Sequence, residues 1–243
     1  WLRYARNKTS ITLGQQAIQS PFINHQDGRM RPTMESGVWV ESRAVKNTKI
    51  ESGWFWQTSP RSTVGWHSVG ASIGLYPRGL NPDGASAGYA GNIRSAGIGL
   101  RGITRQVGKC AKVQLWDQYV ENVFNTAFAQ ADYTHPLPNG HQLIFGLQVA
   151  HQDALADGGN PDPAKTYFQK GGQSNLVGTQ VGWTRGHWQA LAAYTHITAD
   201  GRFLSPREWG REPFYTFMPR ERLEGSGNMH AATGRTIWQS DDK

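Results

Sequence analysis

Two glycine-spaced motifs in the chain have the form of catalytic or cofactor-binding signatures. Gly97-Ile-Gly-Leu-Arg-Gly102 matches the G-x-G-x-x-G spacing that brings a backbone close to a pyrophosphate. Gly84-Ala-Ser-Ala-Gly88 matches the G-x-S-x-G spacing that presents a nucleophilic serine. Each chemistry needs a strand that runs directly into a helix, whose N-terminus supplies free N–H groups. The first motif lies inside an alternating run and the second in a Pro/Gly-rich stretch, so neither a dinucleotide site nor an esterase is expected. His25-Gln-Asp27 and His151-Gln-Asp153 set an imidazole near a carboxylate. Without H-E-x-x-H spacing they read as hydrogen-bonding groups and not as metal ligands. A single cysteine excludes a disulfide framework and a Cys-based zinc site. Asn7-Lys-Thr9 is a glycosylation sequon by pattern alone. No catalytic residue, metal or cofactor is expected.

Charge is more informative. With 25 Lys and Arg against 18 Asp and Glu, the formal charge is +7. Arg29, Arg31, Arg207, Arg211, Arg220 and Arg222 fall in two segments, interleaved with Asp27, Glu35, Glu208, Glu212, Glu221 and Glu224. Arg101 falls on the polar side of an alternating run. A guanidinium presents a planar fork of donors that suits a carboxylate, and a charged, narrow cleft concentrates counter-ions. Rings of such residues in a pore select anions. The plain alternative is that these are solvated loop charges with acidic partners beside them. A nucleic-acid surface is not expected, because the arginines are spread over distant segments and no recognition helix accompanies them.

Strands are the elements available to position these groups. In Gln142-Leu-Ile-Phe-Gly-Leu-Gln-Val149, Leu143, Phe145, Leu147 and Val149 share one face and Gln142, Gly146 and Gln148 the other, which is period two. Val177, Val181 and Trp183 oppose Gly178, Gln180 and Gly182 in the same way, and Trp188, Ala190, Ala192 and Tyr194 oppose Gln189, Leu191, Ala193 and Thr195. Ile98 and Leu100 oppose Gly99 and Arg101. Tight turns at Lys46-Asn-Thr48, Val107-Gly-Lys109, Pro138-Asn-Gly140 and Arg185-Gly186 alternate with long connections at 21–36, 59–92, 153–173 and 200–228. Short turns on one side and long loops on the other are the pattern of an outer-membrane β-barrel, whose polar faces line a wet lumen. A soluble β-sandwich or lectin-like domain also alternates, but seldom with such lopsided connections. Trp54, Trp56, Tyr133, Trp183, Trp188 and Tyr194, at strand ends, suit interfacial girdles. The low apolar share of 37% fits walls with one apolar face and no core to fill. No run approaches the eighteen or so apolar residues of a spanning helix. One stretch disagrees: Trp116, Tyr119, Val120, Val123, Phe124, Ala127, Phe128 and Ala131 follow helical spacing.

Three stretches resemble the OprD family of substrate-specific outer-membrane porins. They are Ile11 to Gly37; Gly74-Leu-Tyr-Pro-Arg-Gly-Leu-Asn-Pro-Asp-Gly84 with Tyr89-Ala-Gly-Asn-Ile-Arg94; and Pro219-Arg-Glu-Arg-Leu-Glu-Gly-Ser-Gly-Asn228, in family order. The resemblance implies an all-β, antiparallel transmembrane barrel of the eighteen-stranded porin type. The chain would cover about ten of its strands, as one domain over residues 1–243 that is incomplete at both ends. It also implies that Trp116 to Ala131 is a hairpin, and that reading is adopted over the helical spacing. The loop after Ile11 would fold into the pore, so the resemblance assigns Asp27, Arg29 and Arg31 to the constriction and Arg220 and Arg222 to the opposing wall, with Arg101 on a lumen face. The expected activity is passive uptake of small, carboxylate-bearing solutes across the bacterial outer membrane, without chemistry. The expected partners are those solutes and the lipid bilayer; nucleic acid is not among them, and homo-oligomers are compatible with the pattern. The alternatives are a soluble carbohydrate-binding β-domain and a porin for neutral oligosaccharides.

Overall fold

The runs that alternate with period two become strands. The structure is a computed structural model and describes residues 1–25, 30–76, 87–219 and 222–240. In chain order its elements are β1 (Leu2–Arg6), β2 (Thr9–Gln16), β3 (Met34–Ser42), β4 (Thr48–Ser59), β5 (His67–Ser68), α1 (Val69–Ser72), β6 (Ile98–Val107), β7 (Ala111–Val120), β8 (Phe124–Pro136), β9 (His141–Ala154), β10 (Gln173–Arg185), β11 (Trp188–Ile197) and β12 (Met229–Trp238). Each long strand pairs antiparallel with its neighbours in sequence, giving the order β1-β2-β3-β4-β6-β7-β8-β9-β10-β11-β12, while β5 adds two residues to the end of β4. β1 and β12 are the edges of this sheet.

Turns and loops segregate as the spacing suggested. Hairpins at residues 7–8, 43–47, 108–110, 137–140 and 186–187 lie on one side. Their left-handed positions fall to residues that tolerate them, such as Asn47 (φ 56°) and Gly108 (φ 61°). The first hairpin also accounts for the sequon, because Asn7 is its turn residue (φ 48°). On the other side run long connections at 17–33, 60–97, 155–172 and 198–228, interrupted by one tight turn at 121–123. Residues 98–102 of the glycine motif lie in strand β6, with no helix after it. Residues 84–86 of the serine motif lie outside the described residues.

The stretch with helical spacing is the β7–β8 hairpin. Val120 and Phe124 are cross-strand partners, as are Trp116 and Phe128. A three-residue turn between inward-facing partners spaces them by four in sequence, which imitates one turn of helix.

Opposite faces of the sheet meet different surroundings. The outer face carries exposed apolar side chains, among them Ile50, Trp54, Leu115, Tyr133, Phe145, Leu147, Val149, Val177, Val181 and Trp188. The long connections cover the loop end of the inner face and build an apolar core there. Phe22 and Ile23 from residues 17–33, Phe168 from 155–172, and Phe203, Trp209 and Phe214 from 198–228 bury against Phe55, Ile98, Leu100, Val120, Phe124 and Phe128 of the wall. Trp209 stacks on Phe124 with ring centroids 6.3 Å apart and donates Nε1–H to Ser72 Oγ at 2.8 Å. Phe22 meets Phe128 edge-on at 5.6 Å. Each fully buried ring of this kind is worth roughly 2–3 kcal/mol. A barrel wall without a core to fill is therefore only half of the arrangement, because the loops bring their own aromatic residues inside.

The tight turn at 121–123 clasps the loops on either side. Glu121 Oε2 accepts from Ala96 N at 2.7 Å, Asn122 Nδ2 donates to Arg94 O at 3.0 Å, and Gly159 N donates to Asn122 O at 2.7 Å. Arg94 N closes the set by donating to Gly159 O at 2.9 Å. Asn122 also occupies a left-handed position (φ 63°), which its short polar side chain tolerates better than alanine would. Asn122→Ala is expected to cost about 1–2 kcal/mol locally, seen as a roughly tenfold loss of hydrogen-exchange protection at residues 94–97 and 155–160. Unchanged protection there would show that the clasp does not hold the loops.

Candidate functional site

The two connections that carry the clustered arginines meet inside the sheet. Asn24 joins them: Asn24 N donates to Trp209 O at 3.0 Å, Arg211 N donates to Asn24 Oδ1 at 3.0 Å, and Asn24 Nδ2 donates to Arg211 O at 2.9 Å. The side-chain amide of Asn24 thereby does what a backbone partner would do in a strand.

The 198–228 connection is fastened to the inner wall by side chains that the alternation placed there. Gln152 exchanges two hydrogen bonds of 2.8 Å with the backbone of Leu204. Gln148 accepts from Tyr215 N at 3.1 Å and donates to Pro213 O at 2.9 Å. Tyr215 Oη donates to Asp132 Oδ1 at 2.6 Å, and Thr216 Oγ1 to Thr195 Oγ1 at 2.8 Å. Buried amides and hydroxyls on a lumen wall would be costly without partners, and the loop backbone supplies those partners. Gly146 completes the seat. A Cβ at this position would lie 2.5 Å from the Tyr215 ring, so glycine is what lets the ring lie flat against β9.

The acidic residues of the loop hold backbone amides, Glu208 those of the 60–97 connection and Glu212 those of its own loop. Glu208 Oε1 accepts from Gly74 N at 3.1 Å and Tyr76 N at 2.7 Å. Glu212 accepts from Leu223 N at 3.1 Å and Glu224 N at 2.6 Å. Burial pushes both carboxyls above the usual range, Glu212 up to about 7. Arg207 is paired with Glu224. Arg222 Nη1 donates to Gly210 O at 2.8 Å and its guanidinium lies over Phe217, 5.8 Å from the ring centroid. Burial, then the charge of Arg207, lowers Arg222 to about 10.

Between the joined loops and the wall lies a cavity of about 370 Å³, lined by Asn24, Gln180, Arg211, Glu212, Tyr215, Phe217 and Arg235, among others. Two arginines and three aromatic rings, those of Phe214, Tyr215 and Phe217, around one space can take an anion attached to a flat apolar body. At the turn end, a wider opening of about 710 Å³ is bordered by Lys8, Arg43, Lys46, Lys49 and Lys112. Lys49 is bound to Glu51 at 2.6 Å and to Glu41 at 3.2 Å. Among the described residues no three His, Cys, Asp or Glu side chains converge as a metal site requires. His151 is on the outer face of β9, bonded to Asp153 at 2.8 Å and Asn175 at 2.7 Å.

Of the residues assigned from the sequence, Arg222 lies within the inserted loop, and Arg31 is exposed where the 17–33 connection returns to β3, its carbonyl accepting from Ser62 N at 3.0 Å. Asp27, Arg29 and Arg220 lie outside the described residues. Arg101 is corrected. It stands on the outer face of β6, opposite Ser52 and Asp117 and in line with Ile103. The reason is that Ile98 and Leu100 point inward, into the loop-built core, which turns the polar side of this strand end outward. Arg235 and Gln180 on the wall were not assigned to the site from sequence, and Arg211 was named there only as one of the clustered loop arginines. Arg235 lies on a strand that shows no clean alternation, and Gln180 differs in no way from other polar-face residues until the cavity is built.

Gly146→Val is expected to lift Tyr215 off β9 and free the loop between Pro213 and Thr216. Single-channel conductance of the full-length protein should rise, with protection at Tyr215 N falling at least tenfold, since two wall bonds of about 1 kcal/mol each are lost. Unchanged values of both would contradict the seat.

Comparison with known proteins bears on the whole arrangement. A family model described as outer membrane porin, OprD family, matches residues 2–216. Among solved structures, Pseudomonas aeruginosa OpdK with vanillate shares the fold with a TM-score of 0.76 at 14% identity, covering 96% of this chain and 56% of that one. OccK8 (OprE) of the same organism gives 0.76 at 15% identity, covering 96% and 59%. OpdO, also of P. aeruginosa, gives 0.74 at 13% identity, covering 96% and 56%. The chain therefore spans less than two thirds of the length of these relatives. No curated protein sequence matches it.

Proposed function

Because the chain belongs to the OprD family of outer-membrane porins, we propose that it forms the solute-selecting wall of a passive diffusion channel for small carboxylates. The observation that carries this reading is the cavity between the joined loops and the wall, with Arg211 and Arg235 beside Tyr215 and Phe217. The arginines offer bidentate donors to a carboxylate, and the rings suit an aromatic body such as that of vanillate, with which OpdK was crystallised. Arg31 and Arg222 belong to the same two loops and extend the positive field; Asp27, Arg29 and Arg220 keep the role the resemblance assigns them. Passage needs binding strong enough to recruit the solute and weak enough to release it, and a few solvated hydrogen bonds provide this. No step breaks or forms a covalent bond, so the protein is a channel and not an enzyme.

Planar-bilayer recording of the full-length protein tests the reading. The double variant Arg211→Ala, Arg235→Ala should lower the anion-to-cation permeability ratio several-fold and weaken block by benzoate roughly tenfold, as two charge-assisted bonds are removed. Arg101→Ala, on the outer face, should leave both unchanged. Unaltered selectivity in the double variant would remove the anion-selecting role.

A further inference from the structure

Glu212 stands out in this cavity. It lies between Arg211 and Pro213 in the lining, is 3% exposed, and its two oxygens accept from the backbone N–H groups of Leu223 and Glu224. The other carboxyls nearby are committed differently: Glu224 to Arg207, Glu208 to the backbone of Gly74 and Tyr76, Asp132 to the Tyr215 hydroxyl and the Gln130 amide. We propose that Glu212 sets the affinity of the cavity for an anionic solute, holding a proton when a carboxylate is bound and releasing it when the cavity is empty. This rests on the reading of the cavity as an anion subsite.

The physical basis is the closeness of two like charges in a partly dry space. An ionised Glu212 and a bound carboxylate repel, whereas the neutral acid leaves Arg211 and Arg235 unopposed. Burial already brings the Glu212 carboxyl up to about 7, so its charge changes within the physiological range. The sign follows directly: rising pH ionises Glu212 and weakens anion binding, and by reciprocity anion binding draws a proton from solution. A repulsion of one unit charge across such a site at intermediate dielectric corresponds to roughly five- to tenfold in affinity. The other groups around Glu212 are Arg207, Arg211 and Arg222 on its own loop, Asn24 with the exposed His25 next to it on the 17–33 connection, Gln180 on β10, and Arg235 on β12. His25 is the one imidazole among these groups, so it has its own control.

The experiment measures benzoate block of chloride current through the full-length protein between about pH 5.5 and 8.5, where benzoate stays ionised. The wild type should lose affinity by roughly five- to tenfold with a midpoint near 7. Glu212→Gln removes the ionisable group but keeps a single acceptor oxygen, enough for one of the Leu223 and Glu224 amides, and should show a flat profile at the low-pH affinity, while His25→Asn should keep the wild-type profile. A flat wild-type profile with measurable block, or a pH dependence that survives in Glu212→Gln, overturns the role of Glu212. No block at any pH would overturn the anion subsite itself, a distinguishable result. Proton uptake on adding benzoate to unmodified protein in weakly buffered detergent near pH 7 is a check that needs no variant, and absence of uptake with bound benzoate also overturns the proposal.

Discussion

The unbroken hydrogen-bond ladder from β1 to β12 is the constraint on which the rest depends. Every long strand from β2 to β11 is paired on both sides, and the side chains it turns outward are largely apolar. Lipid offers no partner for a backbone N–H or C=O, so a membrane wall made of strands must satisfy them all within the sheet. Once that is required, the chain has to reverse at each end of each strand. Short hairpins complete the reversals on one side. On the other side most connections are long and carry Phe, Trp, Ile and Leu, and the inner face of the sheet is where those residues can leave water.

This gives the interior two zones with different chemistry. Near the loop end it is an aromatic core around Phe124 and Trp209; toward the turn end it is a polar surface of Lys49, Glu51, Lys112 and Asp132. Gln148 and Gln152 stand between the two and convert buried side-chain polarity into anchors for the 198–228 connection. A loop held by several wall bonds is preorganised, so the side chains it carries are held in place by the wall. Glu208 and Glu212, which alternate with arginines in sequence, are drawn inward to accept from backbone amides, with Arg207 and Glu224 as an ion pair.

Sequence identity of 13–15% to solved porins, with TM-scores of 0.74–0.76, follows from the same economy. The wall demands alternation, small turn residues and hydrogen-bonded register, conditions that many sequences meet. The residues facing the cavity sit mostly on the inserted loops, where exchange of side chains does not disturb the ladder.

Much was legible in the chain alone. The strands Gln142 to Val149, Asn175 to Thr184 and Trp188 to Thr195, the hairpins at Asn47, Gly108, Asn139 and Gly186, the long connections opposite them, and the outward tryptophans all follow from period two and turn chemistry, which are local. The helical spacing at 116–131 misled because a tight hairpin and a helix both bring residues four apart together, and only the partner strands on either side distinguish them. Alternation also states which residues share a face without stating which face is inside. For β9 the apolar face is outer, as on most of the wall; for the loop end of β6 the loop core reverses the choice, and Arg101 turns outward while Ile98 and Leu100 turn in. Arg235 and Gln180 became cavity residues only when a loop from far along the chain was laid against them. The sequence by itself determined the ladder, because backbone pairing and side-chain parity are short-range; where the loops go, and so what the inner face contains, was decided by long-range burial of aromatic residues that no local pattern encodes.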